Sequence, residues 1–190
     1  MITVDKFMQK MLVMFSSEKK KQEKLEKEIF KFFVIFSRFE FALKSSGFLV
    51  KKPSEKPSEK PAEPNWDSFV KKYKKTFQVT DELNNSFTYL TNQCSAPSRQ
   101  ILVVSDEGTV NEVLSSTWKK QNIDANAPDL KKVVDSIKLV RNNLFHGGKY
   151  GDKSWNDPER TSLLIEHSIK VIWALVELNS DIEVYFVEFA

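Results

Sequence analysis

The run from Pro128 to Gly148, PDLKKVVDSIKLVRNNLFHGG, decides the fold. Its apolar residues Leu130, Val133, Val134, Ile137, Val140 and Leu144 return at the period of an α-helix and fall within one arc of the wheel. Pro128 suits the first helical position, and Gly147-Gly148 stops the run, so a helix is expected from about Pro128 to His146. Arg141 falls in the middle of the apolar arc, while Asn142 and His146, spaced i and i+4, stack on one flank. An arginine in an apolar stripe is costly to bury unless it meets an anion or a carboxylate. That marks Arg141 as more than a surface charge, and its long stem allows the head to reach a groove shared with His146.

Outward from this helix the chain reads as helical nearly throughout. Residues 1–16 suit a short amphipathic helix through Phe7, Met11, Met14 and Phe15. No Gly or Pro interrupts residues 18–46, which predicts one long first helix ending at Gly47 as its C′ residue. The second half of that helix is apolar on nearly every side and requires cover from the rest of the fold or from a second subunit. Residues 51–64, KKPSEKPSEKPAEP, place Pro at regular intervals among alternating charges and read as an exposed, extended loop. A helix over 66–77 carries the stripe Trp66, Phe69, Val70, Tyr73 and Phe77, and another is expected over 81–92 behind the cap Thr80. Pro97 opens an irregular region with a short strand at Gln100–Val104, then polar loop over 105–126 with a short helical piece around Thr109–Trp118. A last long helix runs from Pro158 to about Leu178 with Asp157 as N-cap. The tail DIEVYFVEFA alternates partly and reads as a short strand or extended arm. The expected architecture is all-α: a single domain over 1–190, a helical bundle with irregular insertions between the first helix and the motif helix.

Composition sets bounds on function. With 41% hydrophobic residues, 15 Phe and 4 Trp in 190 residues, the chain can bury a substantial core. A net charge of +3 and a pI near 8.8 are compatible with a nucleic-acid partner without demanding one. The single cysteine, Cys94, rules out an internal disulfide framework and fits a reducing compartment. Residues 7–15 lack a basic leader and a cleavage site, and the apolar run 29–50 contains Lys31, Arg38, Glu40 and Lys44. A cytoplasmic protein with no membrane partner is therefore expected. Two histidines without grouped carboxylates form no recognisable metal site, and no cofactor is called for.

Arg141, Asn142 and His146 together can bind a phosphodiester and move protons without a metal; the plainer alternative is that Arg141 salt-bridges a core carboxylate and His146 caps its helix. An imidazole in the last turn of a helix titrates near neutral pH and exchanges protons with the ribose and the leaving oxygen. A guanidinium stabilises charge growing on the phosphoryl oxygens, and an amide fixes the imidazole tautomer or contacts the phosphate.

RNNLFHGG, with four residues between Arg141 and His146 and Asn142 directly after the arginine, resembles the signature of the HEPN superfamily. FSRFEFALKSSGF, residues 36–48, is similar to the first helix of some bacterial members. Together these matches cover the start and the last third of the chain, and residues 51–126 add little. The resemblance implies a metal-independent endoribonuclease in which Arg141, Asn142 and His146 are catalytic and two copies of the motif meet in a composite cleft across a homodimer. It further implies a toxin or defence setting with an antitoxin or regulatory partner. Members that have lost catalysis persist as RNA-binding or assembly modules, which is the alternative here. Related toxins carry a tyrosine two positions after the histidine, where this chain has Gly148 and then Tyr150.

Glu40, on an otherwise apolar helix, is a candidate to neutralise and orient Arg141, or else pairs with Lys44 or solvent. Lys149 is a candidate contact for the RNA backbone, or a solvated lysine. His167 shares a stripe with Leu164, Val171 and Leu178 and reads as a core or interface histidine. Lys71, Lys72, Lys74 and Lys75 read first as the polar face of an amphipathic helix, with Tyr73 in its apolar stripe.

Overall fold

A computed structural model describes residues 19–50, 62–92, 98–104, 113–120, 124, 126–145 and 157–188. These form helices α1 (Lys19–Ser45), α2 (Trp66–Tyr73) and α3 (Asp81–Thr91), strands β1 (Ser98–Val104) and β2 (Val113–Lys120), then helices α4 (Asp129–Phe145), α5 (Pro158–Val176) and α6 (Ser180–Val187). The protein is thus of the all-α class, with one antiparallel hairpin inserted between α3 and α4. The first sixteen residues, whose short helix was expected, lie outside the described residues.

Helix α1 ends where glycine can do what other residues cannot. Gly47 adopts φ +86°, the left-handed region, and lets the Phe48 amide donate to Leu43 O at 2.9 Å and its own amide to Lys44 O at 3.1 Å. The chain then runs antiparallel to itself. Leu49 bridges Pro64, Val50 N donates to Glu63 O at 3.0 Å, and Asn65 N donates to Phe48 O at 2.8 Å. The Pro-rich segment therefore leaves and returns at one point; Ala62 and Glu63 are exposed, and residues 51–61 lie outside the described residues.

Asn65 also caps α2, accepting the Ser68 amide at 2.9 Å. Trp66, Phe69, Val70 and Tyr73 are buried as the stripe predicts. The helix stops at Tyr73 rather than at 77: a turn follows in which the Thr76 hydroxyl donates to Tyr73 O at 3.1 Å, a local bond that competes with the helical ladder. Thr80 caps α3 and Asp157 caps α5 with Pro158 in its first turn, both as expected.

Two local expectations fail. The piece around Thr109–Trp118 was expected to be helical, but from Val113 it is strand β2, paired with β1 in a register that sets Gln100 opposite Trp118. Val, Thr and Trp favour a pleated strand, and Ser115-Ser116-Thr117 are poor in a helix interior; the Val-rich β1 supplies the ladder. The tail, expected as strand or arm, is helix α6 from Ser180. Asn179 caps it, accepting the amides of Asp181 at 2.8 Å and Ile182 at 3.1 Å, and acidic residues occupy its first turn. Ile182 and Val184 alternate with acidic residues, but Ile182 and Phe186 are also i and i+4, and burial of that pair selects the helix.

The core is aromatic where α1 meets α2. Phe36 and Phe39 lie 5.7 and 5.6 Å from the Trp66 ring centre, and Phe39 meets Phe69 edge to face at 5.9 Å. Helix α5 packs between α1 and α3, α6 packs on α1, and α4 packs on α2, α3 and α5. Arg38 of α1 holds α6 in place, its guanidinium donating to Phe186 O through Nε at 2.8 Å and also through Nη2.

Among the described residues, the packed elements cover one side of α1. Phe32, Phe36, Phe39, Ala42 and Leu43 are buried, whereas Phe30 is 68% exposed, Phe33 47%, Val34 38% and Phe41 44%. These four recur at i, i+3, i+4 and i+11, so they form one apolar stripe on the outer face.

Candidate functional site

Arg141 and Asn142 stand in the last two turns of α4, and Arg141 Nη1 donates to Asn142 Oδ1 at 3.2 Å. Arg141 is half-buried and Asn142 exposed. The arginine in the apolar arc is not sealed inside: its guanidinium lies over the Phe36 ring at 5.8 Å, so the stem covers aromatic surface while the head reaches the edge of the core. Asn143, next in the chain, turns inward and is buried. His146 and Lys149 lie outside the described residues.

Glu40 is half-buried on α1, one turn beyond Phe36. Among the described residues, no ion pair joins it to Arg141 or to Lys44. The arginine and the carboxylate thus share a neighbourhood without a bond between them.

Sequence reasoning passed over two residues beside this pair. Lys138, Arg141, Asn142 and Phe145 are spaced i, i+3, i+4 and i+7 and make one strip along α4. Lys138 Nζ lies 5.8 Å from the Trp66 ring centre, and Phe145, 36% exposed, meets Phe33 edge to face at 5.3 Å. The spacing was visible in the sequence. Which flank of the helix stays open was not.

His167 belongs to a different place. It is 5% exposed, its Nδ1 shares a 3.0 Å hydrogen bond with Ser86 Oγ of α3, and its ring lies 4.5 Å from that of Tyr89. A serine bonded to an imidazole also serves acyl transfer, but Ser86 is itself buried, so this pair is a core contact between α3 and α5. Burial lowers the His167 pKa from the ordinary 6.5; Glu166 opposes the shift and Lys170 adds to it. A histidine whose folded pKa is depressed leaves stability intact above the unfolded value and removes it as pH falls below 6.5, where the unfolded chain takes up the proton first. Melting temperature is therefore expected to fall between pH 7 and 5 more steeply in the native protein than in His167→Gln; equal slopes would remove His167 as the cause.

Tyr73 is buried and its hydroxyl accepts from Asn179 Nδ2 at 2.7 Å, so it is part of the core, while Lys72 lies over the Phe48 and Tyr73 rings. Two surface cavities are also present. One of about 350 Å³ lies between α1 and the start of α5, lined by Lys24, Glu28, Glu159, Ser162 and Glu166. The other, about 600 Å³, joins Ser45, Ser46 and Gly47 to Asp181 and Glu188. Carboxylates outnumber cations in both, which makes them poor hosts for a phosphate chain. Among the described residues, no group of three or more His, Cys, Asp or Glu could hold a metal ion, and no helix is long and apolar enough to cross a membrane.

Comparison with known proteins leaves the residues to speak for themselves: no family model, no curated protein and no solved structure matches this chain.

Proposed function

We propose that this protein is a HEPN-type endoribonuclease that cleaves RNA without a metal, as a homodimer in the cytoplasm, in a toxin or defence setting with an antitoxin or regulatory partner. The observation that carries the reading is the open placement of Arg141 and Asn142, bonded to each other at the end of α4, four residues before His146 in the chain.

In the reaction the ribose 2′-hydroxyl attacks the adjacent phosphorus, and the bond to the 5′-oxygen of the next nucleotide breaks. One imidazole takes the hydroxyl proton, and a second delivers a proton to the departing oxygen. Arg141 compensates the charge on the phosphoryl oxygens, and Asn142 holds the arginine. The products are a 2′,3′-cyclic phosphate and a 5′-hydroxyl. Each chain brings one His146, so the acid and the base come from two copies.

The exposed stripe Phe30, Phe33 and Val34 supports the dimer, because an apolar face of this kind gains by cover and its Phe33 touches Phe145, the residue before His146. Phe30→Glu combined with Val34→Glu is expected to yield a folded monomer by light scattering with cleavage lost. An unchanged oligomeric state would overturn the dimer through this face. The same stripe also fits the second reading, a non-catalytic RNA-binding or assembly module. The deciding experiment is incubation with RNA in EDTA: cleavage of RNA with survival of a deoxy analogue supports the nuclease, since the analogue lacks the attacking group. Binding without products from pH 5 to 9 supports the module.

A further inference from the structure

We propose that the lysine face of α2, bordered by Leu49 and Val50, docks an acidic segment of a partner protein that carries aliphatic side chains among its carboxylates. The inference uses no residue of the Arg141 motif and does not depend on the nuclease reading.

The first argument is charge. On α1, α4 and α5 lysines pair with acids of their own helix: Lys24 with Glu28 at 3.6 Å, Lys131 with Asp135 at 2.6 Å, Lys170 with Glu166 at 2.7 Å. Lys71, Lys72, Lys74 and Lys75 are all exposed, and among the described residues none of them is in an ion pair. Asp67, the one acid of α2, does not pair with them. Like charges three and four positions apart on a helix repel, so an anion laid on this face relieves a repulsion as well as gaining an attraction.

The imbalance is regional. From Lys44 to Lys75 the chain has nine lysines and four acids, a net of +5 within a total of +3, so the remainder carries −2. Residues 51–61 cannot neutralise the face, since they bring Lys51, Lys52, Lys56 and Lys60 against Glu55 and Glu59. The counter-charge has to come from another molecule.

The second argument is the apolar border. Lys72 Nζ lies 5.3 Å from the Phe48 ring centre and 5.1 Å from that of Tyr73, which joins the lysines to the segment that follows α1. There Leu49 and Val50 are 36% and 38% exposed, held in place by the bridge to Pro64 and the bond from Val50 N to Glu63 O. A peptide in which acids alternate with aliphatic residues fits both halves: its carboxylates meet the ammonium groups while its aliphatic side chains cover Leu49 and Val50. Side chains three or four apart on a helix stand about 5–6 Å from each other, and acids two apart in an extended peptide about 6.5–7 Å, so one peptide can meet two lysines.

The third argument sets protein above nucleic acid. Phe48, Phe69, Tyr73 and Phe77 are buried, so these residues offer no open ring on which a base could stack. A phosphate chain also has no counterpart for the two aliphatic side chains. A protein segment uses the whole surface.

The test is fluorescence anisotropy at low ionic strength with two labelled synthetic peptides, one of Glu-Glu-Leu repeats and one of Glu-Glu-Ser repeats. The native protein is expected to bind the leucine peptide more tightly than the serine peptide, and both more weakly as salt rises. Lys71→Glu combined with Lys75→Glu should weaken both peptides about tenfold or more. Leu49→Ser should lower the affinity for the leucine peptide to that for the serine peptide and leave the latter unchanged. No saturable binding, unchanged affinity in the double variant, or equal binding of the two peptides overturns the proposal. A 2′-O-methyl oligoribonucleotide of the same charge should bind less tightly than the leucine peptide; tighter binding would make the face a nucleic-acid surface and overturn it too. RNA cleavage is expected to be unchanged in the double variant, since neither lysine belongs to the motif, and a loss of cleavage in step with peptide binding would also overturn the partner surface.

Discussion

RNA cleavage is expected to fall about 10²–10⁴-fold in His146→Ala and about 10²–10³-fold in Arg141→Ala, measured in EDTA with an RNA whose products are separated on a gel. The two losses have different origins. Without the imidazole the proton has no acceptor near neutral pH, so the remaining activity should rise with pH as hydroxide replaces the base. Without the guanidinium the proton transfers stay possible, but the charge on the phosphoryl oxygens meets no counter-charge, and raising pH should not compensate. Arg141→Lys should recover only part of the activity, because an ammonium cannot match the planar fork that contacts two oxygens at once. Folding should survive the arginine substitutions, since the side chain is only half-buried at the edge of the core. Undiminished cutting by either alanine variant would refute the assignment of the motif.

The largest effect on stability is expected at Phe39. This ring is fully buried, and it meets both Trp66 and Phe69, so it joins α1 to α2 at two points. Phe39→Ala removes the burial, leaves a cavity that the rigid neighbours cannot close, and loses the aromatic pairs, for a cost of about 3–5 kcal/mol. Against a total stability of about 5–15 kcal/mol this is a large share. Urea denaturation should show the midpoint moving far to lower concentration with little change in slope. Phe30→Ala, on the same helix but 68% exposed, should stay within about 0.5 kcal/mol of the native protein. If the two variants were equally destabilised, the division of α1 into an inner and an outer face would be wrong.

Much of the fold was legible in the residues because the helices announce themselves locally. The long uninterrupted α1 stops at the one described residue with a left-handed backbone, Gly47, and the stripe of α2 and the caps Thr80 and Asp157 stand where side-chain chemistry requires them. What was misread lay where two periods fit the same letters. Ile182 and Val184 alternate with acidic neighbours, yet Ile182 and Phe186 are one helical turn apart, and only the space beside α1 decides between the two periods. Strand β2 depends on β1, a partner that no local window contains.

The candidate site was legible in part for a related reason. A helical wheel placed Arg141 among apolar residues, and the structure supplies what the wheel lacks, the aromatic ring of α1 on which the cation rests. Lys138 was invisible as a candidate because its distinguishing feature is Trp66, far away in the chain. The buried Ser86 was equally unreadable, since its partner His167 lies on another helix.

The closure at Leu49 and Pro64, pinned by Asn65, has a practical corollary for anyone handling this protein. The chain leaves the bundle and re-enters it through the same doorway, with Val50 bonded to Glu63, so foreign sequence grafted between them need not bridge a gap. Each doubling of such an insert costs only about 0.6 kcal/mol in closure entropy. A fluorescent module or an affinity handle can be spliced there while α1 and α2 keep their grip on each other.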